Sequence, residues 1–180
     1  MNRRLLLKQM AVAAAGALLL PSCVADAKKA TVALNNLKIT SDEEALLAHI
    51  ASTLIPKTDT PGAREVDAHL FTLIMVDDCM EKPEQQKYLK GLRDFDQATR
   101  NLSGKSFSQA SPSERTDILK TVEEQKESLD DEIKIFYFTT RQFIIQGYTS
   151  SQYFLTDVKP YQLIPGPAFK GCAPVTPQPA

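Results

Sequence analysis

The sequence predicts an all-α protein, a single bundle of about five helices followed by an extended, proline-rich C-terminal tail. Apolar residues recur at three- and four-residue spacing in five segments of a helical domain at residues 40–148. No segment shows the alternation of apolar and polar residues that is typical of a strand. Six of the 11 prolines lie between Pro160 and Pro179, so we expect residues 149–180 to be irregular.

The first two predicted helices differ in their patterns. Ser41 and Glu44 have capping-box spacing, and Pro56 ends the helix that follows them. The apolar residues of this helix share one face: Leu46, Leu47, Ile50 and Leu54. The second helix, from about Arg64 to Cys79, is apolar on more than one side, which places it in the middle of the core. Its apolar residues are Val66, Leu70, Leu73, Ile74 and Val76.

The other three helices have clear start or stop signals. Pro83 suits a first helical position, and Gly104 ends the amphipathic run after it. A second capping box, Ser111 to Glu114 with a proline between them, opens the fourth helix. An acidic stretch follows, and the last helix carries an apolar stripe with Gly147 at a predicted C-cap. That stripe comprises Ile133, Phe136, Tyr137, Thr140, Ile144 and Tyr148.

Residues 1–22 have the order of an export signal rather than of a fold element. Basic residues precede an apolar run that is about half the ~20 residues needed to cross a bilayer. The pair Arg3 and Arg4, followed by Leu-Leu-Leu-Lys, resembles the twin-arginine signal. A general secretory signal that carries two arginines by chance is the alternative.

Cys23 closes a segment, Leu-Pro-Ser-Cys, that resembles a lipobox, although proline is an unusual occupant. Lipidation there would hold the protein at a membrane, since bacterial lipoproteins carry several acyl chains. Otherwise Cys23 is a spectator in a discarded peptide. The small, polar residues 23–39 are predicted to be a tether that could reach ~50 Å. We therefore expect a periplasmic, membrane-associated protein.

The composition fits one ordinary globular domain. Removal of residues 1–22 leaves a chain of normal size for a single core, and 43% of all residues are hydrophobic. A formal net charge of −1 gives no electrostatic case for binding nucleic acid. Cys79 and Cys172 can pair in an oxidising compartment, can both stay free, or Cys172 can bond to another subunit.

The sequence contains no recognisable active site. His49 and His69 stand alone on predicted helices, without the spacing that binds zinc. Motifs for covalent haem, phosphate-binding loops and nucleophile elbows are missing. Asp77 and Asp78 are adjacent, so on a helix they diverge, and we expect them at the solvated surface or at a helix start. The chain is predicted to hold no cofactor and not to be an enzyme by itself.

Five short segments, in order, resemble the gluconate 2-dehydrogenase subunit 3 family. Residues 55–63, Ile-Pro-Lys-Thr-Asp-Thr-Pro-Gly-Ala, are similar to its I-I-P-x-T-D-T-P-G-A. The others are Gly91–Asp96, Gly104–Phe107, Gly147–Ser150 and Tyr161–Cys172. The resemblance implies an accessory subunit of a membrane-associated sugar or sugar-acid dehydrogenase. Its expected partners are an FAD-containing flavoprotein of the glucose–methanol–choline class and a multihaem cytochrome c, and it would serve export and maturation of the flavoprotein.

The predicted partner-binding surface consists of two proline-stiffened segments, the Asp59–Gly62 turn and Gly147–Cys172. These segments are poor at forming a core of their own, and they would lose little conformational entropy on docking. The predicted contact residues are Asp59, Pro61, Gly62, Tyr148, Tyr153, Phe154, Tyr161 and Phe169. In the turn, Asp59 is expected to bond the backbone ahead and Gly62 to be left-handed. Alternatively, the tail wraps its own bundle and its rings fill gaps between helices.

The leading hypothesis is thus an export and assembly subunit that works only in a complex. A free-standing periplasmic helical lipoprotein that binds a small ligand is the alternative, and an independent enzyme is a third. Substrate specificity would reside in the flavoprotein, so this chain does not identify the substrate.

Overall fold

The computed structural model describes residues 30–159, which fold into an all-α bundle. Its α-helices are α1 (Ser41–Leu54), α2 (Ala68–Cys79), α3 (Lys82–Ser103), α4 (Pro112–Glu124) and α5 (Asp131–Thr149). A 3₁₀ turn, Lys126–Ser128, precedes α5, and a π-helical segment, Phe154–Val158, follows it. Residues 30–159 contain no β-strand. The predicted fold class and the five helices are confirmed, whereas most of the predicted tail lies outside the described residues.

Helix α5 is the centre of the bundle, and its N-terminal half packs on α3. At Gly91 the two backbones come so close that a methyl group there would lie 2.1 Å from the carbonyl oxygen of Glu132. The rings of Tyr88 and Phe95 each meet that of Phe136 edge-on, with centroids 5.2 Å apart. These three aromatic residues are fully buried, so this half of α5 forms the aromatic core.

The C-terminal half of α5 packs on α2. Gly147 faces Phe71, and a methyl group at Gly147 would lie 2.8 Å from Cδ1 of that ring. The helix continues through this glycine to Thr149. The prediction of a C-cap at Gly147 is therefore wrong, because this glycine provides space between two helices instead of ending one.

Two helix starts differ from the sequence prediction. The capping box of α1 is formed by Thr40 and Glu43, one residue before the predicted pair. Helix α2 begins at Ala68, because residues 63–67 form turns and Asp67 has a left-handed backbone with φ of 56°. Other signals are confirmed: the capping box from Ser111 to Glu114 opens α4, and α3 ends at Gly104 with φ of 77°.

The described part of the predicted tether, residues 30–39, packs on the bundle, and we call it the strap. Leu37 and Ile39 are buried in the core. The backbone of the strap is hydrogen-bonded to Asp77, which is 2% exposed. The expectation that Asp77 is solvated is therefore wrong, since three N–H donors compensate the burial of its carboxylate. Asp78, by contrast, is exposed as expected.

Candidate partner-binding surface

The Asp59–Gly62 turn between α1 and α2 is held mainly by backbone hydrogen bonds, and none of these involves the carboxylate of Asp59. The N–H of Thr58 donates to the carbonyl oxygen of Thr60 at 3.0 Å, and the N–H of Ala63 donates to that of Ile55 at 2.9 Å. Thr58 also contributes a side-chain contact, since its Oγ1 accepts from the N–H of Thr60 at 3.4 Å. Asp59 is exposed, which leaves its carboxylate at the surface.

Gly62 is required for close packing rather than for a left-handed backbone. A methyl group at Gly62 would lie 2.6 Å from both the carbonyl oxygen of Ile55 and the nitrogen of Lys57. Its φ is not positive; the left-handed residue of this connection is Asp67. The predicted role of Gly62 is therefore wrong in mechanism, because the turn folds tightly back on residues 55–57 and excludes a side chain there.

The end of α5 meets this turn through Tyr148. The hydroxyl of Tyr148 donates to the carbonyl oxygen of Pro61 at 3.2 Å, across 87 residues of chain. The ring of Tyr148 also packs edge-on against that of Phe154, with centroids 5.9 Å apart. A hydrogen bond from the N–H of Phe154 to Oγ of Ser151 fixes the chain between them. The structure thus brings together two segments that the sequence could only name separately.

We call this region the Pro61–Tyr148 surface; it comprises the Asp59–Gly62 turn, Tyr148, Tyr153 and Phe154. Tyr148, Tyr153 and Phe154 are half-buried, so each packs partly on the bundle and presents the rest of its ring to solvent. These rings therefore fill gaps beside α5 and keep an accessible face, and their binding to a partner stays a prediction. Tyr161 and Phe169 lie outside the described residues.

Three large apolar side chains are exposed on or after α2 and α5, and the apolar periodicity of the sequence did not predict their exposure. They are Ile74 on α2, 40% exposed, Ile145 on α5, 43% exposed, and Val158 after α5, 50% exposed. Ile74 was expected in the core, but α2 buries only part of its circumference, including Leu73 and Val76. The uniform apolarity of α2 was the available signal, since a surface helix normally has a polar face.

The two histidines are packed residues. Burial lowers the pKa of His69, and the charges of Asp67 and Glu44 oppose that shift. Its Nδ1 is buried and has no hydrogen-bond partner among residues 30–159. Burial also lowers the pKa of His49. Across residues 30–159 no three His, Cys, Asp or Glu side chains are grouped so that they could hold a metal ion.

Of the remaining predicted sites, only Cys79 lies within the described residues. Cys79 is exposed at the end of α2, while its proposed partner Cys172 lies outside the described residues, so their pairing stays a prediction. Arg3, Arg4 and Cys23 also lie outside them. Within residues 30–159, no helix combines the length and apolarity that a membrane span requires.

A family model described as gluconate 2-dehydrogenase subunit 3 matches residues 41–166, well over half of the chain. The chain belongs to the gluconate 2-dehydrogenase subunit 3 family. Membership implies a subunit of a multi-subunit gluconate dehydrogenase complex. The match begins with α1 and includes the whole Pro61–Tyr148 surface. Comparisons with curated proteins and with solved structures find no match.

Proposed function

We propose that this subunit is a non-catalytic accessory protein that exports, matures and anchors a flavoprotein dehydrogenase of the glucose–methanol–choline class. The observation that carries the proposal is the family match over residues 41–166. The flavoprotein would hold FAD, and a cytochrome c subunit with several haems would receive its electrons. In this proposal the chain itself holds neither cofactor. It contributes a docking surface and an export signal.

The Pro61–Tyr148 surface supports the docking role. Its rings are held by the bundle, through the Tyr148 hydrogen bond to Pro61 and the contact with Phe154, so little side-chain entropy would be lost on binding. Partly exposed aromatic residues on a rigid base are typical of interface hot spots. The exposed Ile145 lies one helical turn before Tyr148 and extends the apolar area.

The export signal is the segment at residues 1–22. In this proposal Arg3 and Arg4 direct the chain to the twin-arginine route, which carries folded proteins, and the flavoprotein travels as a bound passenger without a signal of its own. Cys23 is then lipidated and keeps the complex at the periplasmic face of the membrane. Docking must therefore precede export, so a docking defect and a signal defect should produce the same mislocalisation.

Export is tested by expressing the flavoprotein partner with the intact chain, without it, and with the double variant Arg3→Lys, Arg4→Lys. We expect periplasmic flavin-dependent dehydrogenase activity only with the intact chain. Total flavoprotein in the cell should be measured by immunoblot in each strain, which separates failed export from failed synthesis. Normal periplasmic activity in the absence of the chain would overturn the proposal.

Docking is tested with the double variant Tyr153→Ala, Phe154→Ala and with a matched control, Phe138→Ala. Phe138 is also a half-buried aromatic residue and packs against Tyr137 on α5. We expect the double variant, but not the control, to lose co-purification of the flavoprotein while both retain helical circular dichroism. Deletion of residues 160–180 tests Tyr161 and Phe169 in the same assay. Retained co-purification by a folded double variant would place the interface elsewhere.

A further inference from the structure

The strap, residues 30–39, is attached to the bundle at both of its ends. At its start, the N–H and Oγ1 of Thr31 both donate to the carboxylate of Glu44 on α1. The N–H of Ala30 also donates to the carbonyl oxygen of Ile39 at 3.3 Å, which closes the strap on itself. Leu37 and Ile39 fill the core beneath it. The chain is therefore fixed from Ala30 onward.

A single buried carboxylate makes the central attachment. Asp77 Oδ2 accepts from the N–H of Asn35 at 2.6 Å, and Asp77 Oδ1 accepts from the N–H groups of Asn36 and Leu37 at 2.8 and 2.7 Å. The side-chain amide of Asn36 also donates to the carbonyl oxygen of Asp77 at 3.0 Å. Charge-assisted bonds of this kind are about twice as strong as neutral ones, so Asp77 is the main fixing point of the strap.

Asp77 is itself held rigidly. Nε2 of Gln85, a buried residue of α3, donates to the carbonyl oxygens of Val76, Asp77 and Met80 at 2.8 to 3.1 Å. These are carbonyl groups at the C-terminal end of α2, which have no partner within the helix. The clamp is thus part of the α2–α3 junction, and the strap is docked on a fixed element rather than on a mobile side chain.

The docked strap shortens the connection between Cys23 and the domain. Only six residues lie between Cys23 and Ala30, and the seven Cα–Cα steps that join the two span at most about 25 Å when fully extended. A free segment over residues 23–39 would reach about twice as far. On the basis of the lipidation in the proposed function, we propose that the strap and the first turn of α1 form the membrane-facing end of the domain. Glu44 and Asp77 together then set the distance to the lipid surface, because they hold the start and the middle of the strap.

This assignment also orients the docking surface. The attachment at Thr31 lies at the N-terminal end of α1, beside Glu44, whereas the Pro61–Tyr148 surface follows the C-terminal end of that helix. The 14 residues of α1 separate the two by about 20 Å. A short connection to the membrane at the strap therefore leaves the Pro61–Tyr148 surface accessible to a large partner on the periplasmic side.

The test compares Asp77→Asn with Asp78→Asn, since the adjacent carboxylate is exposed and forms no hydrogen bond with residues 30–39. Hydrogen exchange on the full chain should show that Asp77→Asn strongly accelerates exchange at residues 35–37, whereas Asp78→Asn leaves it unchanged. Equal protection in both variants would overturn the clamp. Asn keeps the size of the side chain, and circular dichroism checks that the helices remain.

The length of the connection between Cys23 and Ala30 is tested by neutron reflectometry, which measures the gap between lipid headgroups and protein. The full, membrane-extracted chain is placed on a supported bilayer of phosphatidylethanolamine and phosphatidylglycerol. We expect a gap between headgroups and protein of at most about 25 Å for the unchanged chain and for Asp78→Asn. The double variant Glu44→Ala, Asp77→Asn, which removes both polar attachments of the strap, should widen it by up to about 30 Å, as should a ten-residue Gly-Ser insertion after Val24. If the insertion widens the gap and the double variant does not, the inference fails while lipidation stands. If the chain carries no acyl group by mass spectrometry and Cys23→Ala binds equally, the anchor fails, and the membrane-facing assignment fails with it.

Discussion

Helix α5 has two halves with different surroundings, and their difference separates stability from recognition. The N-terminal half is sealed by α3, where Tyr88, Phe95 and Phe136 are fully buried and the backbones touch at Gly91. The C-terminal half lies against α2, where Ile74 and Ile145 are 40% and 43% exposed. One half uses its apolar residues for a core, and the other presents part of them to solvent.

The contrast extends to hydrogen bonding. In the first half, the hydroxyl of Tyr88 is paired with that of Thr140 at 2.8 Å in the interior, and burial raises the pKa of Tyr88 well above its usual value. In the second half, Tyr148 is half-buried and donates to the backbone of the Pro61 turn. A buried pair of this kind specifies a unique core, whereas a tyrosine fixed at the edge is suited to binding.

The largest expected effect is that of Phe136→Ala. Phe136 is fully buried and packs against both Tyr88 and Phe95, so its removal should cost about 3–5 kcal/mol of unfolding free energy. Phe71→Ala, at the half-buried contact with Gly147, should cost clearly less. Urea unfolding of the two variants checks this, and equal losses would mean that the two halves of α5 contribute alike.

Two glycines at the contacts of α5 provide a sharper test: Gly91 of α3 and Gly147 of α5 itself. Alanine at Gly91 would clash with the backbone carbonyl of Glu132, which cannot move without separating two helices, so we expect a loss of about 1–3 kcal/mol. At Gly147 the clash is with Cδ1, Cγ and Cβ of Phe71 at 2.8 to 3.2 Å, which a smaller shift relieves, and alanine gains helix propensity of about 1 kcal/mol. Gly147→Ala should therefore cost clearly less than Gly91→Ala in thermal unfolding. A larger loss at Gly147 than at Gly91 would contradict the comparison.

His69 makes the α2 half sensitive to acid. Burial lowers its pKa below 6.5, so the folded state resists a proton that the unfolded chain accepts. The stability that depends on neutral His69 is present above the unfolded pKa and is lost as the pH falls below about 6.5. His69→Phe should flatten the decline in unfolding free energy between about pH 7 and pH 5. His49→Phe measures separately the contribution of His49, whose pKa burial also lowers. An unchanged slope of unfolding free energy against pH in His69→Phe would contradict the prediction.

The sequence predicted the α3 half better than the α2 half, for physical reasons. In α3, the boundaries are indicated by proline at the start and glycine at the end, and the buried face is indicated by the apolar periodicity. All three signals lie within the helix or next to it in the sequence. Asp77, Gly147 and the strap depend on partners 40 or more residues away, and local patterns contain no such information. The contact between Pro61 and Tyr148 is of the same kind: both residues were predicted to bind a partner, but their proximity follows only from the packing of α5 on the α1–α2 connection.

The smallest expected change in stability is at Ile145. Replacement of this exposed side chain by serine should alter unfolding free energy by no more than about 0.5 kcal/mol, because it contributes little to the core. If the exposed apolar residues of the α2 half serve recognition, Ile145→Ser should nevertheless reduce co-purification of the flavoprotein severalfold. Gln142→Ser, at an exposed polar position of the same helix, is the matched control. Undiminished co-purification by Ile145→Ser would mean that exposure in this half does not mark a binding surface, and the interpretation of α5 as one sealed and one recognising half would no longer hold.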